Sequence, residues 1–353
     1  MTAPDVRTPT RRLISVVVPV YSERDVLPET YRRTRAVLSR LDLDYEFVFV
    51  DDGSRDDSYE ILADLARQDP RVRVLRLSRN FGQQIAVTAG LDHAAGDVVV
   101  VMDADLQDDP ELIRQFLEQR QAGYDVVYHI RGRRLGMSLP KRVGTSIFYG
   151  LLRRFSSIRI PRNVGLFRLM DRRVVAAIRE MRETNRFLPG LFAWAGFRQI
   201  GLPSDRPDRA GGKAKSLGKL VALGLDGIIS FSNAPLRIAL WLGIVVSGFA
   251  FLYGAFVLLQ KLIRPAAQLH GWTSTVLVVL FLGGVQLIVT GIIGEYVGRL
   301  YDEVKRRPLY LISDSLNLEG RSFDSQNPAR TGPNRDSGFA GVSGAEPRIP
   351  RDA

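Results

Sequence analysis

The 353-residue chain has no cysteine and only three histidines. Without thiols there is no disulfide framework, no zinc–cysteine site and no cysteine nucleophile, and so few imidazoles argue against a histidine-built metal centre. The phosphate-binding signatures of the common nucleotide folds are missing too: no G-x-G-x-x-G follows the first apolar run, and no G-x-x-x-x-G-K-[ST] occurs. Acids are scarce in one long stretch. From Tyr128 to Arg182, fourteen Lys and Arg face only Asp171 and Glu180, and this stretch carries the whole surplus behind the +11 net charge. A basic excess implies an anionic partner: nucleic acid, a membrane surface or a phosphate-bearing substrate. No nucleic-acid-binding motif accompanies it, so no nucleic acid is expected. Most of these arginines, including Arg153, Arg154, Arg172 and Arg173, are expected to face anionic lipid headgroups, each worth about 1 kcal/mol near the surface. The amino-terminal charges Arg7, Arg11 and Arg12 run straight into a strand pattern, so no signal peptide is expected.

What is present is a regular alternation. Leu13 to Val20, closed by Pro19, reads as a buried parallel strand. There follow a helix from about Asp25 to Arg40, a strand from Tyr45 to Val50, a helix from about Asp56 to Gln68, a strand from Val72 to Leu77 and a helix from about Gly82 to Ala95. Val98 to Val101 is the next strand, a helix begins at Pro110, and Asp125 to His129 is a further strand. Strands alternating with helices of about ten to fifteen residues mean βαβ units and a mostly parallel sheet flanked by helices.

The Val98 strand leads into Asp103 and Asp105. In extended backbone, residues i and i+2 share a face. Both carboxylates, with the amide oxygen of Gln107, can therefore converge past the strand's carboxyl end, where open α/β sheets bind ligands. Clustered hard oxygens suit Mg2+ or Mn2+. Alone, the pair is a weak signal, because the same residues also suit a helix start ahead of Pro110. Asp108 and Asp109 are read as helix-start charges favoured by the dipole.

Ile238 to Gln260 and Trp272 to Gly294 are each 23 residues without a charge. About 20 apolar residues cross a bilayer, and Trp241 and Trp272 stand near the ends, as interfacial aromatics do. A short connection makes the two a helical hairpin. Basic residues before the first span, and Lys305-Arg306-Arg307 after the second, place both termini in the cytoplasm by the positive-inside rule, although Lys261 and Arg264 in the connection argue the other way. Leu217 to Ser232 suits an interfacial helix. After Asp314 the composition is that of a disordered tail.

Val17-Val-Pro-Val-Tyr-Ser-Glu23, Val50-Asp-Asp-Gly-Ser54, Asn80-Phe-Gly82, Asp103-Ala-Asp-Leu-Gln107 and Gly165-Leu-Phe-Arg-Leu-Met-Asp171 occur in that order. This set resembles the family 2 glycosyltransferases of the GT-A fold. With Gly291-Ile-Ile-Gly-Glu-Tyr-Val-Gly-Arg299, residues 13 to 312 resemble the polyprenyl-phosphate glycosyltransferases, the group of the dolichol-phosphate mannose synthases and the bacterial undecaprenyl-phosphate glucosyltransferases. The resemblance implies a tail over 1–12, a GT-A catalytic domain over 13–212, a mobile loop and juxtamembrane helix over 213–235, two transmembrane helices over 236–299, a cytoplasmic segment over 300–313 and a disordered tail over 314–353. It implies that Pro19, Tyr21 and Glu23 lie against the donor nucleotide and that Asp51 or Asp52 contacts its base. Asp103, Asp105 and Gln107 would hold Mg2+ or Mn2+ on the donor diphosphate. Arg131 would contact phosphate, Arg209 and Lys215 would belong to a loop closing over the diphosphate, and Arg142 and Ser146 would hold the lipid phosphate. That loop often reads Gly-Glu-Ser-Lys in relatives and here reads Gly212-Lys-Ala-Lys215. Asn163 and Leu166 stand where bacterial relatives often have acids, which weakens the case for an acidic base.

The chemistry closes without such a base. A phosphate monoester has a second pKa of about 6, so the acceptor oxygen is already anionic near neutral pH. The protein has to align two anions and neutralise charge on the leaving nucleoside diphosphate. The expected reaction is direct, inverting displacement at the anomeric carbon on the cytoplasmic face of the membrane. The donor is expected to be a UDP-sugar, glucose first, ahead of GDP-mannose, and the family analogy suggests a homo-oligomer. Two alternatives are a processive polysaccharide synthase, disfavoured because its usual Q-x-x-R-W is absent and its channel needs more spans, and a non-catalytic nucleotide-binding membrane adaptor.

Overall fold

The computed structural model describes residues 12–131, 164–204, 234–263 and 271–318. Among these, one sheet is built from β1 (Leu13–Val20), β2 (Asp44–Asp51), β3 (Val72–Leu77), β4 (Val98–Val101), β5 (Val126–Arg131), β6 (Val164–Asp171), β7 (Gln199–Ser204) and β8 (Ile312–Leu316), in the order β7-β5-β6-β4-β1-β2-β3-β8. Helices α1 (Leu27–Leu38), α2 (Ser58–Gln68), α3 (Gln83–His93), α4 (Leu112–Gln121), α5 (Arg172–Glu180) and α6 (Leu188–Trp194) belong to the same domain, and α7 (Ala234–Ile263) and α8 (Trp272–Val304) form the carboxyl-terminal pair.

Strands β4, β1, β2 and β3 run parallel, as their alternation with helices predicts. Strand β6 pairs antiparallel with both β4 and β5, and β8 antiparallel with β3, so the sheet is mixed at both flanks. The core forms two layers. Val16, Val18, Phe47 and Phe49 pack with Leu27 of α1, Leu62 of α2 and Phe116 of α4. Val17, Val48 and Val50 pack on the other face with Ala86 of α3, Ile178 of α5 and Phe192 of α6. Burial on both faces is why β1 reads as an unbroken apolar run, each such side chain being worth about 1.5–3 kcal/mol.

The described arginines of the basic stretch are largely spent on the fold. Arg168 is 2% exposed on β6. Its guanidinium donates to the carbonyls of Leu166 and Gly165 and lies 4.0 Å from the Phe192 ring centroid. Burial pulls its pKa down to about 9, so it stays charged at neutral pH. Arg179 donates to the carbonyls of Leu91 and Ala94, and Arg182 to the Asp92 carboxylate. Arg172 and Arg173, for which a headgroup role is expected, keep side chains more than half exposed. They pair with Asp97 and Asp125, acids at the amino ends of β4 and β5.

Helices α7 and α8 contain candidate spans Pro235–Phe256 and Leu277–Val304, whose most apolar windows are only 6% and 0% buried, so neither is the core helix of a soluble domain. Helix α8 continues past Gly294 into a charged turn where Arg299 Nε meets Glu295 Oε1 at 2.9 Å. Beyond it, Glu303 Oε2 accepts the Thr184 N–H at 2.9 Å, and Tyr310 Oη donates to Asp92 Oδ2 at 2.8 Å. The chain then enters β8 opposite Leu77, at the carboxyl end of β3. A disordered tail beginning at Asp314 is therefore corrected: Asp314 lies within β8, and Asn317 Nδ2 donates to the carbonyls of Ala66 and Val72. The Ile-Ser-Asp-Ser-Leu run of β8 is mostly exposed and polar, and its place comes from backbone pairing. The anticipated juxtamembrane helix at 217–232 lies outside the described residues.

Helix α3 crosses the sheet closely at Gly90, where a Cβ would overlap Val17 Cγ1 and stand 3.2 Å from Val50 Cγ2. Gly90→Ala is expected to destabilise the protein by about 1–3 kcal/mol through overpacking, read as a lower Tm in detergent. Gly243→Ala on α7, with nothing within 4 Å, should leave Tm unchanged or raised.

Candidate active site

The loops that follow β1, β2, β3 and β4 each turn through a left-handed residue: Ser22 (φ 54°), Gly53 (φ 69°), Gly82 (φ 96°) and Leu106 (φ 59°). For Ser22 and Leu106 this conformation costs roughly 1–2 kcal/mol, an outlay that collects at the carboxyl edge of the parallel strands. Gly53 also has no room for a side chain, since a Cβ would stand 2.8 Å from the Asn80 backbone nitrogen.

Two adjacent buried carboxylates tie these loops together, in different ways. Asp52 Oδ1 accepts the Phe81 N–H at 2.7 Å and Oδ2 the Gly82 N–H at 2.9 Å. This fixes the turn into α3, where Gln83 Nε2 donates to Asp103 Oδ1 at 2.8 Å. Asp51 is 0% exposed. Its Oδ1 accepts the Ser54 N–H at 3.1 Å, while its buried Oδ2 has no hydrogen-bond partner and lies 3.5 Å from Arg76 Nε. Burial raises the pKa of both carboxyls, against the pull of Ser54 and Arg76 on Asp51 and of the Phe81 and Gly82 amides on Asp52.

The loop after β4 alternates in burial from Met102 to Asp105 and then turns at Leu106. Met102 and Ala104 are buried, and the Ala104 carbonyl accepts Thr30 Oγ1 at 2.7 Å. Asp103, Asp105 and Gln107 are half-buried between and beyond them. Asp105 Oδ1 accepts the Gln107 N–H at 3.1 Å, and the Leu106 turn closes this small ring. Asp108 is not a helix-start charge: α4 begins at Leu112, and Asp108 Oδ2, buried, accepts the Asp103 N–H at 2.9 Å. Asp109 accepts the Glu111 N–H instead. Among the described residues no group of three or more His, Asp or Glu side chains gathers as a cation cage. Two carboxylates and an amide oxygen nevertheless fit a hard cation that takes its remaining ligands from substrate phosphates.

The other predicted residues fall into two sets. Pro19 is buried in β1 opposite Val50, Tyr21 is 42% exposed on the loop above it, and the Glu23 backbone N–H donates to Ser58 Oγ at 3.0 Å. Arg131 ends β5, which runs parallel to β4 with β6 between them, so its backbone reaches the same edge. Arg142, Ser146, Arg209 and Lys215 lie outside the described residues. Leu166 is 6% exposed, an apolar residue packed in the core. A cavity of about 320 Å3 lies at the opposite edge, lined by Leu13, Leu41, Val98 and Arg114 among others, and holds none of the predicted residues. Sequence reasoning did not find Gln83, Asp108 or Arg76. Gln83 had a signal, for it directly follows the Asn80-Phe-Gly82 motif.

Residues 15–179 match the family model "Glycosyl transferase family 2", and residues 234–300 match "GtrB C-terminal hairpin". The chain is 45% identical over 308 residues to the uncharacterized glycosyltransferase YkcC of Bacillus subtilis (strain 168), covering 87% of this chain and 95% of that one. It is 42% identical over 303 residues to the SfII prophage-derived bactoprenol glucosyl transferase of Shigella flexneri, covering 86% and 98%. It is 43% identical over 300 residues to the prophage bactoprenol glucosyl transferase homolog of Escherichia coli (strain K12), covering 85% and 98%.

Asp108→Ala removes the acceptor of the part-buried Asp103 amide, which costs about 1–3 kcal/mol. The variant is expected to lose that stability in thermal melts and to lower turnover more than about tenfold, because Asp103 is released. Asp109→Ala, at the exposed neighbour, should change neither. Equal effects from the two would show that the Asp103 amide does not depend on this partner.

Proposed function

The chain belongs to glycosyl transferase family 2, and on that footing we propose that this membrane glycosyltransferase moves a hexose from a nucleoside-diphosphate sugar to a polyprenyl phosphate at the cytoplasmic face, with inversion. The observation that carries this reading is a shared edge. The Asp103–Gln107 loop stands at the carboxyl ends of the parallel strands, and the chain returning from the apolar hairpin enters the sheet at the carboxyl end of β3. The match of residues 234–300 to the GtrB hairpin, and relatives named bactoprenol glucosyl transferases, support a polyprenyl-phosphate acceptor and favour UDP-glucose over GDP-mannose as donor.

In this reading Asp103, Asp105 and Gln107 would hold Mg2+ or Mn2+, and the ion, when bound, supplies positive charge to the leaving diphosphate. Everything else is done by the chain. Gln83 fixes the rotamer of Asp103, and Asp52 fixes the turn that presents Gln83. Between the two adjacent acids, Asp51 is the one with acceptor capacity left for a nucleobase N–H, since both oxygens of Asp52 are engaged by backbone amides. Pro19, Tyr21 and Glu23 line the donor, Arg131, Arg209 and Lys215 take its phosphates, and Arg142 and Ser146 take the acceptor phosphate. No side chain has to remove a proton, because the acceptor oxygen is anionic at neutral pH. The buried, apolar Leu166 accords with that.

Asp105→Asn is expected to abolish turnover while the protein remains folded, with an unchanged Tm. Glycolipid made at the native rate would remove the cation assignment. Arg142→Ala is expected to raise the KM for polyprenyl phosphate about tenfold, the scale of a lost charge-assisted hydrogen bond, while donor KM changes less than about twofold. Equal losses on both substrates would reject the acceptor role.

A further inference from the structure

A charged row crosses the outer strands of the sheet. Asp51 on β2 stands opposite Arg76 on β3, and Arg76 stands opposite Asp314 on β8. Cross-strand neighbours in one row share a face of the sheet and interact directly. The Arg76 guanidinium lies 4.2 Å from the Tyr59 ring centroid, and Tyr59 Oη donates to Asp314 Oδ2. At the inner end, Ser54, whose N–H is held by Asp51, accepts through Oγ the N–H of Ser22, on the loop that carries Tyr21 and Glu23.

A buried carboxylate oxygen without a hydrogen bond is costly unless a cation stays beside it. For Asp51 Oδ2 that cation is Arg76, whose side chain is 36% exposed. Left to itself, such a long, half-exposed side chain would spend much of its time in water. Here the Asp51 carboxylate and the Tyr59 ring flank it, and Asp314, opposite on the adjoining strand, holds the Tyr59 hydroxyl and adds its negative charge. The last of these arrives only because the chain comes back from the apolar hairpin to form β8.

Resting on the proposed nucleobase role of Asp51, we infer that β8 is a working part of the donor site: Asp314 and Tyr59 hold Arg76 against Asp51 and thereby position its carboxylate for the base. Asp314, Tyr59 and Arg76 are positioning residues. The segment after the hairpin thus sets donor affinity as well as completing the sheet.

The test uses the full chain in lipid nanodiscs, with UDP and Mn2+ as the binding probe. Asp314→Asn keeps the side-chain shape and removes the charge, and Tyr59→Phe keeps the ring and removes the hydroxyl. Each is expected to raise donor KM and weaken UDP binding about five- to twentyfold, at or below the low end of what one hydrogen bond to a charged group contributes because the effect reaches Asp51 through Arg76. The kcat should stay within about twofold, the KM for polyprenyl phosphate should not change, and Asp314→Glu should recover most of the affinity. Native UDP affinity in both variants, with affinity lost in Asp51→Asn, would overturn the inference and leave the nucleobase role standing. Native affinity in all three would overturn that role itself. A fall in Tm and kcat with donor KM unchanged would reduce β8 to a purely structural strand.

Discussion

The turn from β3 into α3 is registered by the Asp52 carboxylate, which takes one backbone amide on each of its oxygens, Phe81 on one and Gly82 on the other. Burying a carboxylate is unfavourable, as its raised pKa records. The charge-assisted bonds offset that cost and make the arrangement nearly unique in geometry. From it follow the start of α3, the placement of Gln83, and through Gln83 the orientation of Asp103. Asp108 completes the hold on the Asp103 backbone from the other direction. The acidic loop is thus fixed at Asp103 from the start of α3 and from within its own sequence.

The same economy governs the arginines. A net charge of +11 suggests a broad anion-attracting surface, yet Arg168, Arg179 and Arg182 point into carbonyls, a ring or a buried carboxylate. Arg172 and Arg173 pair with acids at the edge opposite the site. Counting charges along a chain therefore overstates what a membrane or a phosphate can meet. The guanidinium groups that build the fold do so because each can satisfy several carbonyls at once in a fixed fork.

How much could be read in advance depends on where each element draws its stability. Strands β1 to β4 each bury apolar side chains on both faces, with arginines breaking the run only in β3, so their sequences announce them. The period of two also anticipates the burial pattern of the next loop, where Met102 and Ala104 are core and Asp103 and Asp105 are half-buried. Strand β6 hid behind Arg168, which reads as surface and is not. Strand β7 carries Gly201 and Pro203, and β8 is polar, so neither shows an apolar alternation. Asp108 was misread because Pro110 imitates a helix start two residues before α4 begins. Asp51 and Asp52 are equivalent in a string of letters. Only their partners, one Arg76 at the sheet's outer side and the other the turn into α3, set them apart. Long-range pairs of this kind leave no local periodicity to find.

The sheet's last strand has a consequence for biosynthesis. Ser313 and Arg76 meet across β8 and β3 although they are 237 residues apart in the chain. A ribosome must therefore complete both apolar helices before β3 receives its neighbour. Until then the nascent domain leaves the β3 edge unpaired, the kind of surface on which growing chains associate wrongly, with Arg73 and Arg76 as its charged residues. The sheet is thus closed by a segment made after the whole hairpin, so the two parts of the chain are tied together in synthesis as well as in structure.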